Sequence, residues 1–200
     1  MSYLTGSSTP QALKAMELIG RHNHDINYIR DNKNLTPEGK TKQIAATYLQ
    51  YKQQVTALEA EDRATRARKA DSLRRSLFGL TGSSDANATI SYRDAQDRVS
   101  AIQDENQALE LLDRADLSND EILTKAIVGK AAEAGWGNLV NTYTAKHPYY
   151  GAKLQELASL HNDENSIEGV MNLAMSYSLS APAEIARYSD SMVENLAGEA

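Results

Sequence analysis

From Leu13 onward, apolar residues return every three or four positions. Leu13, Met16, Ile19, Ile26 and Ile29 fall on one face of a helix, with a polar interruption from Arg21 to Asp25. Thr9 and Pro10 supply its start, a capping hydroxyl followed by a proline whose fixed φ suits the first turn, and the polar run from Asp31 to Asn34 ends it. Thr36-Pro37-Glu38 repeats the start signal, after which the chain meets no proline, and only Gly39 in the first turn, before Gly79. The pattern predicts a second helix of about 40 residues, roughly 60 Å long at 1.5 Å per residue. Ile44, Tyr48, Tyr51, Val55 and Leu58 form a helix-packing seam of two heptads along it, which stops at Asp62 and Thr65. Apolar residues return out of phase at Leu73 and Leu77. Two heptads are fewer than a coiled coil needs, so the expectation is an αα-hairpin: the first helix antiparallel to residues 37–58, with residues 59–78 overhanging as an arm.

Gly79 to Ala88 is small and polar, the composition of a flexible connection. Beyond it, shorter helices are predicted from near Ser91 and Glu105. A capping box, Ser118 to Glu121, starts the stripe Ile122, Leu123, Ala126, Ile127 and Ala131, which Gly135 closes. Trp136 to Lys146 follows, His147-Pro148 forces a stop before Tyr149 to Leu160, and two further helices are expected near 166–178 and 181–197, the last with Pro182 in its first turn. The fold class predicted is therefore all-α: a disordered N-terminus (1–9), a helical hairpin with a basic overhang (10–78), a linker (79–90), and a multi-helix domain of antiparallel helix pairs (91–200).

Composition changes this picture in two respects. Ala and Leu dominate the apolar share, with ten Tyr but one Phe (Phe78) and one Trp (Trp136), and strand-type runs are missing. There is no Cys, which excludes disulfides and thiolate metal sites. The net charge of -6 also hides a polarity: residues 1–80 carry 13 Lys+Arg against 8 Asp+Glu, and residues 81–200 carry 8 against 19. The opening residues lack the pattern of a signal peptide, and no window approaches about 18 apolar residues, so a soluble, cytoplasmic protein with no membrane contact is expected.

The dense basic cluster Arg63, Arg66, Arg68, Lys69, Arg74 and Arg75 is the candidate partner-binding surface of the arm. Glu59, Asp62 and Asp71 stand four residues before Arg63, Arg66 and Arg75, so half the cluster has an intrahelical partner. Without interleaved aromatics, and with an acidic chain attached, an acidic protein surface fits the cluster better than nucleic acid, which remains the alternative ligand. That acidic surface includes the C-terminal domain itself as a candidate. His22 and His24, two apart, point in different directions on a helix, His147 precedes Pro148 at a helix end where a histidine commonly caps carbonyls, and His161 is read in a polar turn, so no metal is expected. Asp163-Glu164-Asn165 lacks the alternating oxygens of a calcium loop, and Gly79 to Ser84 lacks the lysine of a phosphate loop. No catalytic constellation or cofactor motif emerges, so the expectation is a non-enzyme. Trp136 and Tyr143 are read as packing between adjacent hairpins, with a concave peptide-binding face of a cellular adapter as the competing reading.

The segment from Asn34 to Ala45, the charged helix ending in Leu77-Phe78-Gly79, and the segment from Ala108 to Pro148 with Asp113-Arg114-Ala115 and Gly135-Trp136 resemble small helical proteins encoded among virion genes of actinobacterial phages and prophages. The resemblance implies a capsid-associated, scaffolding or head-to-tail protein. Such a protein would be a homo-oligomer in contact with other phage structural proteins, in the host cytoplasm or the virion, and the resemblance carries no catalytic residues.

Overall fold

The computed structural model describes residues 9–79 and 86–198, apart from the side chains of Asn162, Glu164 and Asn165. Among these residues the chain is all α, with no strand. The helices are α1 (Pro10–Asp31), α2 (Pro37–Phe78), α3 (Ala86–Ser100), α4 (Glu105–Leu117), α5 (Glu121–Ala134), α6 (Gly137–Lys146), α7 (Pro148–Asn165), α8 (Ile167–Ser176) and α9 (Asp190–Gly198). No helix of the described residues is long and apolar enough to cross a membrane. The expected disordered N-terminus lies, save Thr9, outside the described residues, as does the linker from 80 to 85; α3 already begins at Ala86, within the stretch expected to be linker.

The chain divides into two compact units at places other than the expected linker. One comprises residues up to Arg66 together with those from Asp163 onward, and the other runs from Ala67 to Asn162. Both α2 and α7 therefore supply residues to both units, and the C-terminal segment belongs with the N-terminal helices.

In the first unit, local chemistry sets the ends of α1 and α2. The Thr9 hydroxyl accepts from the Ala12 amide at 3.2 Å, and the Thr36 hydroxyl from the Gly39 amide at 3.1 Å. The two helices run antiparallel: the Lys40 ammonium donates to the Arg30 carbonyl, the Tyr51 hydroxyl donates to Asp25 at 2.6 Å, and Gln11 reaches Glu61. Ile26, Ile29, Ile44, Ala45 and Tyr48 share one core cluster with Ile185 and Val193; Ala12, Ala15, Val55 and Leu58 share a second with Tyr177. The C-terminal segment is also tied by charge. Arg30 makes a forked pair with Glu184, at 2.7 and 2.9 Å, and Lys52 meets Asp190 at 3.2 Å.

The helix expected over 181–197 is not continuous. Residues 183–187 form turns on the Pro182 carbonyl, which accepts from the amides of Ile185 and Ala186, and α9 starts only at Asp190. The Ser189 carbonyl and hydroxyl accept from the Val193 and Met192 amides, a second start signal that competes with helix continuation. The break lets both Ile185 and Val193 reach the same core.

In the second unit α5 is the central helix, in contact with α3, α4 and α6. It buries Leu123, Ala126, Ile127, Val128, Gly129 and Ala131, more of its circumference than one amphipathic stripe. Its start differs in detail from the expected capping box: Asp120 accepts from the Leu123 amide, while Ser118 donates back to the carbonyls of Arg114 and Ala115 and so ends α4. Gly135 closes α5 with a φ of 72°, a left-handed position that glycine adopts without Cβ strain. Helix α6 has no side-chain cap of its own. Glu105 on α4 supplies one, accepting from the Leu139 amide at 2.8 Å. Trp136 is half-buried against this core, and Tyr143 is buried within it, stacked on His147 at 4.4 Å between centroids. Burial pushes the Tyr143 phenol up to about 12.

Candidate functional site

The basic cluster read as a free overhang is largely engaged within the chain. The apolar seam ends at Leu58, but the buried face of α2 does not: Asp62 and Arg66 continue it, and Leu73 and Leu77 bury into the core of the second unit. Arg66, 6% exposed, donates to Asp62 (1% exposed) at 3.0 Å and to Asp163 at 2.9 Å. Burial opposes the Arg66 charge, and the hydrogen bonds to Asp163 and Asp62 outweigh it, so the guanidinium pKa is raised. Burial likewise pushes the neighbouring Tyr177 phenol up to about 12; the hydrogen bond with Thr9 opposes the rise and Asp62 adds to it. Arg63 pairs with Glu59 and Lys69 with Glu156. Asp71 meets Arg74 at 3.6 Å instead of Arg75. Arg68 lies exposed. The acidic surface expected from a partner is thus in good part supplied by the chain itself.

Arg74 and Arg75 also line a cleft of about 380 Å³ in the second unit. Arg74 and Arg75 come from the end of α2, Lys125 and Lys130 from α5, and Phe78 and Tyr92 add aromatic walls. Phe78 seats directly on α5 because position 129 is glycine: a Cβ there would lie 3.2 Å from the Phe78 ring. Neither Arg75 nor Lys130 has a carboxylate partner among the described residues, and Glu133 is the acid lining the cleft. Lys125, Lys130 and Tyr92 escape a reading of the sequence because they lie far from Arg74 in the chain; the glycine inside α5 is the signal that something packs there.

A second surface lies on α8, in the first unit. Its N-terminus is capped by Ser166, which accepts from the Gly169 amide at 3.0 Å. The helix is amphipathic in the reverse sense: Gly169 and Ser176 are buried, while Ile167, Val170, Met171 and Met175 are exposed, at 83, 50, 48 and 53%. Leu13 and Met16 are exposed on α1, the helix that α8 contacts. Asn172 and Leu173 are half-buried, so the exposed side of the helix carries most of its large apolar side chains.

The histidines form no common site. His22 is buried between Tyr48 and Tyr51, and burial lowers its pKa, so it is neutral at pH 7. Among the described residues no group of three or more His, Asp or Glu could hold a metal ion. Comparison with known protein families, with curated proteins and with solved structures returns no match for this chain.

Proposed function

We propose that the chain is a non-enzymatic protein that self-associates through the outer face of α8, and that it serves in the assembly class implied by its resemblance to phage virion proteins. The single observation behind this reading is the reversed amphipathicity of α8, which leaves Ile167, Val170, Met171 and Met175 in water. Burying such a stripe stabilises association by roughly 25 cal/mol per Å² of apolar area, and methionines adapt to the facing surface.

A second copy of the same helix suits this face. Between residues 167 and 176 the only charged residue is Glu168, near one end. Two α8 helices related by a two-fold axis and packed antiparallel bring stripe against stripe and hold the two Glu168 side chains apart. A host cytoplasm or a virion is the setting that goes with this reading.

Sedimentation equilibrium tests it. The wild-type chain at high micromolar concentration should have a mass above the monomer, and Met171→Glu, with unchanged circular dichroism, should be monomeric. A monomeric wild-type chain, or a Met171→Glu variant that associates as the wild type does, would refute the proposal.

A further inference from the structure

The methionines of this chain stand where methionines seldom do. Among the described residues they are Met16, Met171, Met175 and Met192, exposed at 39, 48, 53 and 55%, and none belongs to a core cluster. All of them lie in the first unit. The side chain that usually fills gaps in a core is here at the surface. With no cysteine in the chain, methionine thioethers are its only sulfur open to oxidants.

Met171 and Met175 share one stripe of α8, a helical turn apart. The exposed positions of that helix are Ile167, Glu168, Val170, Met171, Ala174 and Met175, and none of these side chains carries a hydrogen-bond donor at pH 7. A thioether suits such a face. A sulfoxide does not, because its oxygen is a polar acceptor, and two copies packed stripe against stripe would bury it with no donor on either side. In the separated chain water satisfies the same oxygen, so the cost falls on the associated state alone. Met192, on α9, has a comparable exposure outside this stripe.

We propose that Met171 and Met175 are sites of reversible oxidation by peroxides, and that their sulfoxides turn the outer face of α8 from associating to non-associating. The inference rests on self-association through α8. A thioether lone pair attacks one oxygen of hydrogen peroxide; an S–O bond forms, the O–O bond breaks, and the other oxygen takes up the remaining proton and leaves as water. Sulfur is oxidised by one electron pair and the peroxide is reduced by it. A reductase using a dithiol reverses the step, releasing the oxygen as water while the dithiol becomes a disulfide. Association and oxidation oppose each other: the associated face shields its thioethers, and the oxidised face does not associate.

Limited treatment of the full-length chain with hydrogen peroxide tests the proposal, read by sedimentation equilibrium and by peptide mass spectrometry of each sulfoxide. In dilute solution Met171 and Met175 should oxidise at rates comparable to Met192; at high micromolar concentration they should lag well behind it. The oxidised chain should associate about tenfold or more weakly, with circular dichroism unchanged, and methionine sulfoxide reductase with dithiothreitol should restore association. When partly oxidised protein is separated by size, sulfoxide at Met171 and Met175 should concentrate in the monomer, and sulfoxide at Met192 should divide evenly between the fractions. Resistance of Met171 and Met175 to peroxide while Met192 reacts, association unchanged by their oxidation, or sulfoxides at all three positions spread alike over both fractions would each overturn it. A chain that is monomeric before peroxide overturns the α8 reading and this inference together, whereas one that associates and is indifferent to peroxide overturns this inference alone.

Discussion

Replacing Arg66 with alanine is expected to destabilise the protein by about 3 kcal/mol or more, the range found when one partner of a buried ion pair is removed. Asp62, 1% exposed, would keep its burial and lose the guanidinium that donates to it at 3.0 Å. Asp163, whose side chain is 47% exposed, turns to water at smaller cost. Arg63 offers the control. It pairs with Glu59 on the same helix, also at i,i+4, but at the surface, and Arg63→Ala should change stability by no more than about 0.5 kcal/mol. The contrast separates burial from pairing as the source of the effect. A neutral replacement of the whole buried pair, Asp62→Leu with Arg66→Met, should recover much of the loss, because the desolvation cost of both ions disappears with them. Urea unfolding followed by circular dichroism reads all four chains; equal effects of Arg63→Ala and Arg66→Ala would contradict the buried network.

The second large effect lies at Ile127, fully buried on α5 among residues of α3, α4 and α6. Ile127→Ala removes packed methyl groups from a site closed on all sides and should cost about 2–5 kcal/mol. Ile90→Ala, at a position 65% exposed on α3, should fall within about 0.5 kcal/mol of the wild type. Trp136, half-buried against the same core, gives a fluorescence signal local to this unit. Comparable midpoints for the two variants would mean that α5 is not the central helix.

Helix starts and stops were legible in the sequence where a single local group decides them. Thr9-Pro10, Thr36-Pro37 and Gly135 act through their own backbone and one side-chain hydrogen bond, which tertiary structure does not alter. Ser118 and Asp120 were less separable, since two capping residues stand two apart and only the fold gives one to α4 and the other to α5. The buried face of α2 beyond Leu58 was illegible for a different reason. A charged residue at a core position reads as the end of the core unless its partner is known, and the second carboxylate on Arg66 comes from Asp163, far along the chain. The same limit hid the division into units, because the forked pair of Arg30 with Glu184 and the packing of Ile185 and Val193 against Ile44 are long-range contacts.

The candidate sites follow this logic. Arg74 and Arg75 stand out in the sequence as part of a basic cluster, but the cleft exists only because α5 brings Lys125 and Lys130 to them and Gly129 admits Phe78. In α8 the apolar stripe is plain in the sequence. Which side faces water is decided by Gly169 and Ser176 packing inward, a reversal that periodicity alone cannot show.

That reversal is the centre of the functional account, and a cross-linking experiment tests it most directly. The chain contains no cysteine, so a single introduced thiol reports only on its own position. Met171→Cys, near the middle of α8, should form disulfide-linked dimers on mild oxidation in far greater yield than Ile90→Cys, a more exposed control position on the other unit. Equal yields from the two positions, or no dimer from Met171→Cys, would contradict association through the α8 face.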